Sequence, residues 1–95
     1  MSTGTKRVTA DSAIGTSGKP VRVFAANWLS TGTAGVLVLR NGTSASGDIY
    51  LTMQGIVSQG QTFDIHDGML FPSGCFYDHD SNTTYATITY SVERN

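Results

Sequence analysis

A chain of 95 residues is short for one domain, and nothing in its composition marks a second folding unit. Charged residues are 14% of it, against roughly 25% in soluble domains generally, while Ser, Thr and Gly supply 10, 13 and 11 residues, so its exterior must be rich in hydroxyls rather than charge. A net charge of -1 with six Lys or Arg excludes the basic face that displaces counterions from phosphates, and with it non-specific nucleic-acid binding.

Residues 1–7 are polar and aperiodic, which predicts a flexible N-terminal arm or a weak strand edge leading into Val8, with the domain proper over residues 8–95. Lys6 and Arg7 form a local basic pair there, read as solvated and, secondarily, as a point of contact for a partner. Residues 11–20 hold two Gly, two Ser and a closing Pro20, and read as a connecting loop.

The strongest strand covers residues 21–29. Val21, Val23 and Ala25 alternate with Phe24, Ala26 and Trp28, so both faces are apolar. Two readings follow. Either the strand is central with both faces covered, or one face supplies a contact between subunits, which makes Val21, Val23, Phe24 and Trp28 candidate interface residues.

Residues 34–40 form a β-branched apolar run ended by Asn41-Gly42, which reads as the partner of the preceding strand in a hairpin. Residues 48–53 alternate, with Ile49, Leu51 and Met53 on one face. Residues 61–65 form a short strand before an Asp67-Gly68 turn, and residues 69–71 and 75–78 flank Pro72-Ser73-Gly74. The last strand, residues 84–92, has the cleanest alternation, with Ala86, Ile88, Tyr90 and Val92 on one side. Seven to eight short strands without a helical period predict an all-β fold, a small antiparallel β-sandwich or jelly roll, with a closed barrel as the alternative.

Chemistry-bearing clusters are sparse, and no enzyme and no cofactor are expected. Asp78-His79-Asp80-Ser81-Asn82 opens like a calcium loop, but Thr83 stands where that pattern needs Gly and Thr89 where it needs Glu. A transition-metal site from His66, Asp67, His79 and Asp80 would require two turns to converge. Cys75 and His79 lie four residues apart, about 13 Å along an extended chain, too far for a thiolate-imidazole pair, so Cys75 reads as a small buried hydrophobe. Residues 15–19 faintly suggest a phosphate loop, but Ala13 and Pro20 break its pattern. Trp28, Tyr50, Tyr77, Tyr85 and Tyr90 could stack on sugars, although core and strand packing is the favoured reading of them.

A single cysteine precludes an internal disulfide and no apolar stretch follows Met1, so synthesis in a host cytosol without export is the expectation. No run approaches the ~18 apolar residues of a membrane span, and no membrane partner is expected.

Laid out this way, the chain resembles small β-sandwich structural proteins of tailed-phage virions. The resemblance rests on Lys-Pro-Val-Arg-Val-Phe at 19–24, Leu-Arg-Asn-Gly-Thr-Ser at 39–44 continuing into Ala-Ser-Gly, Leu-Phe-Pro-Ser-Gly-Cys-Phe at 70–76 and Tyr-Ala-Thr-Ile-Thr-Tyr at 85–90. It spans roughly residues 19–90 and consists of turn-and-strand patterns rather than a diagnostic motif. It implies a capsid decoration or cement protein that sits as a homo-oligomer, often a trimer, on the major capsid protein of a phage head, with no catalytic residue. A head-fibre or tail-fibre module that adheres to a host glycan through Trp28 or Tyr50 is the alternative.

Overall fold

The computed structural model describes residues 3–15 and 19–93, and among these it contains eight strands and no helix. They are β1 (Thr3–Val8), β2 (Ser12–Ile14), β3 (Val21–Ser30), β4 (Val36–Asn41), β5 (Asp48–Gln54), β6 (Gly60–Phe71), β7 (Cys75–Tyr77) and β8 (Thr83–Val92). Two four-stranded sheets result, in the orders β1-β8-β3-β6 and β2-β7-β4-β5, with every pairing antiparallel.

The order has a simple origin. β1 pairs with β8, β2 with β7, β3 with β6 and β4 with β5, as in one long hairpin folded at its middle. Wrapping that hairpin on itself adds the β3–β8 and β4–β7 pairings and splits it into two facing layers. This is a jelly roll, the double-sheet member of the expected class, and its four open edges set it apart from a closed barrel. Burying the apolar side of each sheet against the other gives one core, in which Val23, Trp28, Leu37, Leu39, Tyr77 and Ile88 are inaccessible.

β3 corrects the two-faced reading of residues 21–29. Against β8 its register runs Val23↔Tyr90 and then Ala25↔Thr89, which leaves Phe24 as an extra residue. Such a bulge shifts the period-two alternation by one. Val21 and Val23 before it, and Ala26 and Trp28 after it, therefore all face the core. β3 is central, between β8 and β6, and Val21, Val23 and Trp28 are interior residues rather than interface residues. Phe24 alone of the four is half-buried, at the bulge itself.

Of the two expectations for residues 1–7 the strand edge holds over Thr3–Val8, which pairs with β8, while Met1 and Ser2 lie outside the described residues. Three further segments differ from expectation. β4, expected as the hairpin partner of β3, pairs with β5 and β7 in the other sheet. The loop expected over residues 11–20 contains β2, three residues held by pairing with Cys75, Phe76 and Tyr77. β6 is one strand of twelve residues in which the expected Asp67-Gly68 turn is an excursion. Asp64 still pairs with Ala25 and Met69 with Val23, so residues 65–68 all stand opposite Phe24. Asp67 (φ 65°) and Gly68 (φ 80°) make the left-handed step that returns the chain to register. A Cβ on Gly68 would also meet the Phe24 ring at 2.9 Å, so bulge and excursion fit together through a glycine.

Candidate functional site

The four metal-site candidates are not brought together. His66 and Asp67 sit on the β6 excursion with side chains 96% and 87% exposed, and only a 3.6 Å contact joins them. His79 and Asp80 follow β7 in the other sheet, where their groups are already engaged. His79 Nδ1 lies 3.0 Å from the Tyr77 hydroxyl, and the His79 amide donates to Asp11 Oδ1 at 2.6 Å. Asp80 Oδ2 accepts from the Val36 amide at 2.9 Å, and Asp78 Oδ2 accepts from Arg40 Nε at 2.9 Å. These carboxylates fasten the turn after β7 to the loop before β2 and to β4, as turn-forming Asp residues do. Among the described residues no three His, Cys, Asp or Glu side chains are grouped to hold a metal ion.

Nor is the thiol of Cys75 activated. Burial pushes the Cys75 thiol up to about 12 from 9.0, the opposite of what a reactive thiolate needs. Burial, reinforced by Asp80, Asp11 and Asp78, pushes the Tyr77 phenol up to about 12. Cys75 is the small buried hydrophobe its sequence context suggested. No cavity opens among the described residues, and no helix is long and apolar enough to cross a membrane.

The aromatic residues are dispersed. Trp28 and Tyr77 are core, and Tyr90 lies over Gly4, where an added Cβ would meet its ring at 3.1 Å. Tyr85 lies beneath the Arg7 guanidinium, 4.1 Å from it. Tyr50 is exposed, its ring 5.4 Å from that of Phe71.

Because successive strand residues point to opposite faces, the basic pair is divided. Arg7 stands on the outer face with Tyr85, whereas Lys6 turns into the seam between the sheets. Its Nζ donates to Ser12 Oγ at 2.9 Å and to the Ala13 carbonyl at 3.1 Å. Lys6 thereby clasps β1 to β2 and closes that flank of the sandwich.

The opposite flank, where β5 lies over β6, has no such clasp. Among the described residues, the five large hydrophobic ones that are exposed, Ile49, Tyr50, Ile56, Val57 and Leu70, belong to β5, β6 or the turn joining them. Half-buried Leu51, Met53, Phe63, Ile65 and Met69 lie behind them against the core. The turn is forced outward from the start. Gly55 is buried with its amide on the Gly35 carbonyl, and a Cβ there would stand 2.8 Å from Trp28 Nε1 and Ser30 Oγ. Ser58, in the left-handed region at φ 57°, then anchors its amide to the Thr31 carbonyl, leaving Ile56 and Val57 at the apex.

This flank, rather than β3, is the candidate interaction surface. Sequence reasoning passed over it although two signals were present: the adjacent pair Ile49-Tyr50 breaks the alternation of its strand, and Ile56-Val57 is an apolar pair inside a loop. Comparison with known proteins finds no matching family model, no matching curated protein and no matching solved structure. The functional reading accordingly rests on the surface itself.

Proposed function

We propose that the chain is a phage virion protein that binds the major capsid protein lattice and cements the head. The observation that carries this reading is the gathering of exposed hydrophobic residues onto the β5–β6 flank of a domain whose remaining polar clusters are spent on its own turns. Exposed apolar residues gathered along one flank of a small domain mark a place to be covered. Few charges would have to be desolvated there, which favours a protein partner over a solvated ligand. Jelly rolls recur in viral capsid and lectin domains, but the fold alone assigns no function, so the weight lies on the surface and on the resemblance.

Burying 1,000 Å² of apolar surface yields a gross gain of roughly 25 kcal/mol, most of which association costs remove. A lattice that offers many equivalent sites needs no more than the remainder. The glycan-binding fibre reading draws less support, because Trp28, one of the two residues on which it depends, is 1% exposed.

Mixing the purified protein with expanded phage capsids that lack it tests the proposal. Saturable binding and a raised capsid melting temperature are expected, both weakened by Ile56→Ser/Val57→Ser. Failure to bind any capsid lattice would overturn it.

A further inference from the structure

The jelly roll leaves four strand edges unpaired, and three of them are guarded. β1 carries Lys6 and Arg7, β2 is only three residues long, and β6 is interrupted by the excursion with His66 and Asp67 at its tip. Short edges, charges and bulges are the devices that stop a sheet from adding another strand. β5 has none of them along its straight part. It is seven residues long, without Lys, Arg or Pro, and its one charge, Asp48, is at its first position.

We propose that β5 is a self-pairing edge, at which two copies of this chain join antiparallel about a two-fold axis through Thr52. The register follows from the bulge in β5. Leu39 pairs with Leu51 but Arg40 with Ile49, so Tyr50 is the extra residue and the regular segment runs over residues 51–54. Core side meets core side only when the axis passes through a residue, and of the two at the middle of that segment Met53 would set Leu51 against Gly55, which leaves Thr52. A two-fold axis there sets Leu51 opposite Met53 of the second copy, Tyr50 opposite Gln54, and Thr52 opposite itself. Leu51 and Met53 are the half-buried, core-facing residues of β5, so the pairing keeps core side against core side and continues one core into the other. No like charges meet, because Asp48 falls opposite Ile56 beyond the strand end.

An isologous edge closes at two copies, not at the three that the phage resemblance implies. The inference does not depend on capsid binding.

Analytical ultracentrifugation of the full chain, followed by cysteine cross-linking, tests it. The unaltered protein is expected to shift from monomer to dimer as its concentration rises. Thr52→Lys, which places two ammonium groups opposite each other, should leave a folded monomer, with folding checked by circular dichroism. Thr52→Cys should form a reducible dimer under mild oxidation, since opposed Cβ atoms lie about 4.5–5.5 Å apart, whereas Thr62→Cys on β6 should not. Cys75 is buried and does not compete. A protein monomeric at every concentration, a trimer, a dimer indifferent to Thr52→Lys, or equal cross-linking from positions 52 and 62 would each overturn the pairing. A monomer that loses capsid binding on Thr52→Lys would do so as well, assigning the edge to a partner's strand.

Discussion

The two flanks of this sandwich are built from the same kind of strand pair and end up opposite in character. At β1–β2 a lysine enters the seam and hydrogen-bonds across it, and Val8 and Ile14 beside it are buried. At β5–β6 the Tyr50 and Phe71 rings meet across the seam, but Leu51, Met53, Phe63 and Ile65 keep part of their surface in water. A 95-residue chain has a core thin enough that its margins are half of the design. This chain finishes one margin with its own residues and leaves the other unfinished, which is why function is sought at the second.

The largest expected effect separates the flanks by stability. Ile14→Ala removes a side chain sealed beneath the closed flank and is expected to cost about 2–5 kcal/mol. Met53→Ala removes a half-exposed one and should cost less than half as much in the dilute monomer. Urea unfolding measures both; equal losses would dissolve the contrast.

Next in size is an alkaline limit set by β7, the strand paired to β2. Native Cys75 holds its proton to about 12, while in the unfolded chain it ionises from 9.0; Tyr77 behaves likewise between 10.0 and about 12. Both groups are neutral when protonated, so above those unfolded values the unfolded state binds fewer protons and is favoured. Their contribution is intact below pH 9 and falls above it, by about 1.4 kcal/mol per pH unit for each group. Between pH 9 and 10 the fall comes from Cys75 alone of the two. Cys75→Ala should flatten it there, as denaturant titration at each pH would show.

The clasp itself is worth less. Lys6→Met keeps the aliphatic stem and deletes two partly solvated hydrogen bonds, for a loss of about 1 kcal/mol. It should also increase self-association, because β1 then keeps only Arg7 of its two charges. A variant that loses stability yet gains no tendency to associate would show that the lysine fastens the seam without guarding it.

How much of this was legible in the sequence depended on how far the deciding contact lay from the residue. Strand β8 was readable from its alternation and β4 from its apolar run, although β4 pairs with β5 and β7 and not with β3 as the hairpin reading had it. β3 was misread because its bulge is imposed by the pairing with β8 and β6, so a residue far along the chain decides which way Trp28 points. β2 carries too few residues for any period and exists through Cys75, Phe76 and Tyr77. The same limit governed the sites. Asp80 looked available as a ligand until Val36, 44 positions away, claimed its carboxylate, and Lys6 looked solvated until Ser12 and Ala13 folded beneath it.

The smallest effect tests what guards β6. Its edge has two defences, a backbone excursion and the charge at its tip, and Asp67 belongs to both. Asp67→Gly separates them: glycine adopts φ 65° without strain, so the excursion stays, while the carboxylate is lost. Relief of the left-handed conformation is offset by the greater freedom of glycine in the unfolded chain, and the His66 contact is too exposed to matter. Stability should therefore move by less than about 1 kcal/mol, upward if at all. In the Thr52→Lys background, where β5 is closed, Asp67→Gly is expected to remain monomeric, because the shape of β6 and not its charge refuses another strand. A dimer appearing in that background would reverse the assignment and make the acidic tip the guard.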